Sequence, residues 1–132
     1  MAHQYSVTVN NARLDAIETA ISTTPVLRMY TGAAPANCAA ATTGSTVVSM
    51  TLPSDWLAGA SSGAKAKSGT WAGTATTSGT VGYYRIFEST AATCHIQGSV
   101  STSGAEINLD NNIVNSGQVV TISTYTITAA NT

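Results

Sequence analysis

At Pro25 the apolar residues change from a helical spacing to a spacing of two, and this switch divides the chain into one helix and a β-rich remainder. Ahead of it, Leu14, Ile17 and Ile21 fall at i, i+3 and i+7, on one stripe of a helix that Asn10 or Asn11 can cap. Asp15 and Glu18 lie in the early turns, where the helix dipole favours negative charge. Proline disfavours helical angles in the residue before it, so Ser22-Thr23-Thr24-Pro25 ends the helix. The stripe is narrow, and it packs either on the chain's own sheet or on a neighbouring subunit.

Beyond Pro25, strands are expected at Val26 to Tyr30 and at Thr46 to Leu52, where Val48, Met50 and Leu52 share a face opposite Ser49 and Thr51. Pro53 to Leu57 reads as a helical turn capped by Ser54, with Trp56 and Leu57 as a lid on one end of the core. Ala58 to Ser68 reads as an exposed Gly/Ser/Ala loop carrying Lys65 and Lys67. Gly69 to Trp71 opens a further strand. In Tyr83 to Glu88, Tyr84 and Ile86 oppose Tyr83, Arg85 and Phe87. Apolar residues on both faces fit a central strand, or one whose second face is covered.

Thr93 to Val100 sets Cys94, Ile96 and Val100 opposite His95, Gln97 and Ser99. Ala105 to Leu109 presents Ile107 and Leu109, and turns follow at Asp110-Asn111-Asn112 and Asn115-Ser116-Gly117. Gln118 to Thr128 reads as the longest strand, with a phase slip between Ile122 and Tyr125 of the kind a β-bulge leaves. The expected fold class is mainly β: an antiparallel β-sandwich or jelly roll of about seven to eight strands with one N-terminal helix. The division is an N-terminal arm and helix at 1–24 and a β-sandwich body at 25–132, one domain overall.

Only 8% of the residues are charged, against about 25% in an average soluble domain. A net charge of −1 gives little colloidal protection, and such surfaces tend to associate. Lys65 and Lys67 are the only close pair of cations, too few for the patch that displaces counterions from nucleic acid. No stretch approaches the ~20 apolar residues of a membrane span. Met1-Ala2-His3-Gln4-Tyr5 lacks the cationic start and apolar run of a signal peptide. The reading is a chain made in a cytoplasm, with neither nucleic acid nor membrane as partner. Reducing conditions there favour free thiols at Cys38 and Cys94, with Cys94 as a small core residue; an extracellular setting would let them pair.

Catalytic constellations are not legible. Nucleophilic chemistry needs a histidine beside a serine or cysteine and oriented by a third group. His3 lies near the terminus, and His95 points to the strand face opposite Cys94. Two cysteines and two histidines do not make a zinc pattern. Asp110-Asn111-Asn112 offers oxygen ligands for calcium but is the ordinary chemistry of a β-turn. The six acids form no glycosidase signature, and Gly79-Thr80-Val81-Gly82 lacks the lysine and the helix of a phosphate loop. The expectation is no enzyme, no cofactor and no metal. Trp56, Trp71 and Tyr83 could form a sugar-stacking platform, but a core otherwise built of small residues needs their bulk.

Leu52-Pro53-Ser54-Asp55-Trp56-Leu57, Lys67-Ser68-Gly69-Thr70-Trp71, Gly82-Tyr83-Tyr84-Arg85-Ile86 and Cys94-His95-Ile96-Gln97-Gly98-Ser99-Val100 carry a resemblance. With the opening Asn11-Ala12-Arg13-Leu14-Asp15-Ala16-Ile17-Glu18, they resemble small virion proteins of tailed bacteriophages, among them head decoration or cement proteins. The resemblance implies a β-sandwich body that self-associates as a dimer or trimer. It also implies binding to the major capsid protein on the outside of the capsid, after assembly in the host cytoplasm. The candidate interface is the Tyr5 to Ile21 segment, with Tyr5, Leu14, Ile17 and Ile21 as its contacts. Two alternatives stand beside it: another virion part, such as a head–tail joining, tail or fibre protein, and a carbohydrate-binding module on the particle. The last would lose glycan binding on Trp71→Ala.

Overall fold

A computed structural model describes residues 3–129. The helix α1 (Val7–Ile21) begins ahead of the expected caps. Its N-cap is Ser6, whose side-chain oxygen accepts from the Val9 amide at 3.2 Å. Asn10 and Asn11 therefore lie inside the helix. The β-branched Val7, Thr8 and Val9 have low helix propensity, which conceals this first turn in the sequence. At the other end Ser22 and Thr24 take left-handed angles (φ 74° and 48°), and the Ser22 amide donates to the Glu18 carbonyl at 2.8 Å.

Among the described residues ten strands follow: β1 (Val26–Thr31), β2 (Thr46–Thr51), β3 (Ala64–Ala66), β4 (Trp71–Thr74), β5 (Gly79–Phe87), β6 (Cys94–Ser101), β7 (Ile107–Asn108), β8 (Ile113–Val114), β9 (Val119–Ile122) and β10 (Thr126–Thr128). The main sheet has the order β2-β1-β5-β6-β7, and β8 pairs with the start of β5. Two short ribbons, β4–β9 and β3–β10, complete a curled, sandwich-like and mainly β body. The pairings are antiparallel except β6 with β7, which is parallel. The strand count exceeds the expectation because β3, β7, β8 and β10 span two or three residues, too few for alternation to show.

One face of the main sheet carries Leu27, Met29, Met50, Tyr84 and Ile86 into a core shared with Trp56, Trp71, Ile122 and Tyr125. The aromatic rings tie the ribbons to the sheet. Tyr125 meets Trp71 at 5.2 Å between centroids and Tyr84 edge-on at 5.7 Å. The Tyr84 and Tyr125 hydroxyls lie 2.8 Å apart, and burial holds both phenols above their ordinary pKa, Tyr125 at about 12. Gly98 makes room for this arrangement, since a Cβ there would come within 2.7 Å of the Tyr84 ring.

Three local expectations change. Pro53 to Leu57 forms a bend rather than a helical turn, though Trp56 and Leu57 are buried. Gln118 to Thr128 is two strands: β9 pairs with β4 and β10 with β3, and the phase slip marks where Tyr125 turns into the core between them. In β6 a bulge at His95 sets Ile86 opposite Ile96 but Phe87 opposite Cys94. Cys94 is thereby half-buried against Tyr30, Tyr83 and Phe87 on the second face of the sheet, while Ile96 packs on the main core.

Candidate functional site

Of the four predicted contact residues, Tyr5 is exposed, Leu14 and Ile21 are buried, and Ile17 is half-buried against the main core. Leu14 and Ile21 are thus taken up by the chain's own body and leave the candidate interface. The reason is a polar clamp between α1 and the 56–66 segment. Lys65, expected on an exposed loop, is 1% exposed on β3 and places its ammonium 2.7 Å from Asp15 and 3.1 Å from Glu18. Burial alone would lower the Lys65 pKa. The hydrogen bonds to Asp15 and Glu18 outweigh it and hold the ammonium above its ordinary value. Lys65 and the Ala60 amide in turn hold the Asp15 carboxyl below its usual range.

Further bonds extend the clamp. The Leu57 amide donates to Glu18 at 3.3 Å, the Gly63 amide to Asn11 at 3.0 Å, and the Trp56 indole to the Ser22 carbonyl at 3.0 Å. Beside it, Ile17, Ile96 and Ile127 line a groove of about 320 Å³ that also carries Glu106 and the tyrosine pair. What α1 leaves unpartnered is its leading end. Tyr5, Val7 and Val9 are 40%, 51% and 43% exposed. The Arg13 guanidinium sits 4.7 Å from the Tyr5 ring centroid and donates to Asn10 at 3.0 Å, so the tyrosine is held at this end. Val7 and Val9 escape the sequence reading because they precede the expected cap and lie off the apolar stripe.

The second face of the sheet is covered by the chain's own connection between β1 and β2. Arg85, buried at mid-strand in β5, donates to the Asn37 and Ala40 carbonyls at 3.2 and 2.9 Å and to Thr42 Oγ1 at 3.1 Å. Gln97 donates to the Pro35 carbonyl at 2.8 Å. The Tyr83 hydroxyl accepts from the Thr43 amide at 3.1 Å and donates to its carbonyl. Tyr83 also stacks on Tyr30 at 5.0 Å. No carboxylate among the described residues reaches Arg85, so this cation is neutralised only by carbonyl and hydroxyl dipoles. The two-faced apolar pattern of β5 foretold a cover; nothing local in the 33–44 segment identified it as that cover.

The remaining polar candidates are engaged by the fold. His95 lies 3.2 Å from Glu88, and its neighbour Cys94 donates to the Ile96 carbonyl at 3.4 Å. His3 is exposed ahead of α1. In the Asp110-Asn111-Asn112 turn, Asn111 accepts from the Ile113 amide at 3.0 Å and Asn112 donates to the Val81 carbonyl at 3.3 Å. Trp56, Trp71 and Tyr83 are fully buried, which removes the sugar-stacking platform. Trp71→Ala would cost about 3–5 kcal/mol of core packing and could not report on glycan binding. Among the described residues no group of three His, Cys, Asp or Glu is placed to hold a metal ion, and no helix is long and apolar enough to cross a membrane. No protein-family profile, curated protein or solved structure matches the chain.

Proposed function

We propose that this protein is a capsid decoration protein of a tailed-phage particle, cementing the lattice of the major capsid protein from outside. The observation that carries the reading is the leading end of α1. Tyr5, Val7 and Val9 project there, apolar and exposed, from a helix that the Lys65 clamp fixes to a β body of very low charge. A preordered apolar end loses little entropy on docking. Repetition over a capsid lattice, or through a dimer or trimer of this chain, then multiplies modest single contacts through effective concentration. The docking segment is thus narrower than the whole helix. Leu14 and Ile21 hold the helix on the body, and Tyr5, Val7 and Val9 meet the partner.

The test is to add the purified chain to expanded capsids that lack it. It should bind the shell and raise the shell's resistance to heat. A Val7→Ser, Val9→Ser variant, with its fold unchanged by circular dichroism, should bind at least about tenfold more weakly, the loss expected from about 1.4 kcal/mol of apolar contact. Absence of binding and of thermal protection by the native chain would sink the reading.

A further inference from the structure

We infer that Cys38 and Cys94 are a dithiol pair that closes to an intramolecular disulfide, fastening the 33–44 segment across the second face of the sheet. The two residues are far apart in the chain, and two independent features bring them together. The bulge in β6 turns Cys94 out of the main core and onto the second face, opposite Phe87. Arg85 grips the carbonyls of Asn37 and Ala40, the residues that bracket the stretch holding Cys38. Both cysteines then line one cavity of about 310 Å³, together with Ala39, Ala40 and Ala92. The alanines put little side-chain bulk beside the two thiols, which have to meet at a sulfur–sulfur distance of about 2.05 Å to close the bond. Both cysteines are only half-buried, so a small disulfide reagent has access to them.

Burial first, and the adjacent Cys38 thiol second, push the Cys94 thiol up to about 12. Cys94 is therefore a poor first nucleophile, and the order of steps follows. Cys38 attacks one sulfur of a low-molecular-weight disulfide and gives up its thiol proton. A mixed disulfide forms at Cys38, the reagent's S–S bond breaks, and one reagent thiol leaves with the proton that Cys38 gave up. Cys94 then attacks the Cys38 sulfur, passes its proton to the second reagent thiol as that leaves, and completes the protein disulfide. The protein loses two hydrogens and two electrons, and the reagent disulfide is reduced to two thiols. A reducing cytoplasm keeps the pair open, and an oxidising medium closes it. The pairing is independent of the capsid reading.

The experiment treats the folded full chain with oxidised glutathione and follows intact mass, peptide mapping and thermal midpoint. The expected product has lost the mass of two hydrogens, links the Cys38 and Cys94 peptides, and runs as a monomer on a non-reducing gel. Its midpoint should lie roughly 10 °C above that of the reduced chain, and a thiol reductant should reverse the rise. Cys38→Ser and Cys94→Ser chains should show no such rise. A lasting glutathione adduct on the native chain would overturn the inference, as would a disulfide between two chains or an unchanged midpoint in the linked product. Unfolded native chain, oxidised in denaturant, controls for the serine variants: a Cys38–Cys94 link that forms there but not in the folded chain also counts against it.

Discussion

Lys65 anchors α1 because its ammonium faces two carboxylates one helical turn apart, Asp15 and Glu18, while its stem is buried under the helix. Breaking a buried ion pair from one side leaves the partners uncompensated. Asp15 is half exposed and keeps part of its hydration, so the loss on Lys65→Ala is below that of a fully buried pair. The expectation is about 1–3 kcal/mol of lost stability by denaturant unfolding, with hydrogen exchange in α1 rising ahead of exchange in β5. Unchanged α1 protection would show that Leu14 and Ile21 hold the helix unaided. The same residue marks a limit of reading by composition. In a run of Gly, Ser and Ala a lysine looks solvated, and only the return of the chain beneath α1 reveals its partners.

Among the elements, the β5–β6 hairpin carries its own charge lock. Glu88 accepts from the Thr90 hydroxyl at 2.8 Å and from the Ala92 and Thr93 amides at 3.1 Å. The Thr90 bond, reinforced by these amides against partial desolvation, pulls its carboxyl down to about 2. A carboxyl with a folded pKa below its unfolded value stabilises the fold above the ordinary carboxylate range. That contribution fades as pH falls from about 4.3 and is gone below about 2. Nuclear magnetic resonance should place the Glu88 midpoint near pH 2, with Ala92 and Thr93 amide protection lost over the same window. A midpoint in the ordinary range would contradict the lock. The β5 strand itself was legible, because Tyr84 and Ile86 alternate with Tyr83, Arg85 and Phe87. The break after β9 was legible only as a phase slip, since a bulge and a change of pairing partner leave the same mark in a single strand.

For the whole molecule, the capsid reading makes a claim about stoichiometry. A cement protein repeats with the lattice, so quantitative mass spectrometry of purified particles should find it in copy numbers comparable with the major capsid protein. A few copies per particle would point instead to a joining, tail or fibre component. The surface fits a repeated docking role, since two of the five lysines and arginines, Lys65 and Arg85, are buried and the net charge is −1. By itself the sequence determined the switch at Pro25, the mainly β class and the aromatic residues that fill the core, because period and side-chain bulk are local properties. Only the tertiary structure decided that Leu14 and Ile21 face the chain's own core, that Lys65 pairs with Asp15 and Glu18, and that Cys94 turns toward Cys38. Periodicity tells which residues share a face, whereas what lies opposite that face depends on where distant segments return.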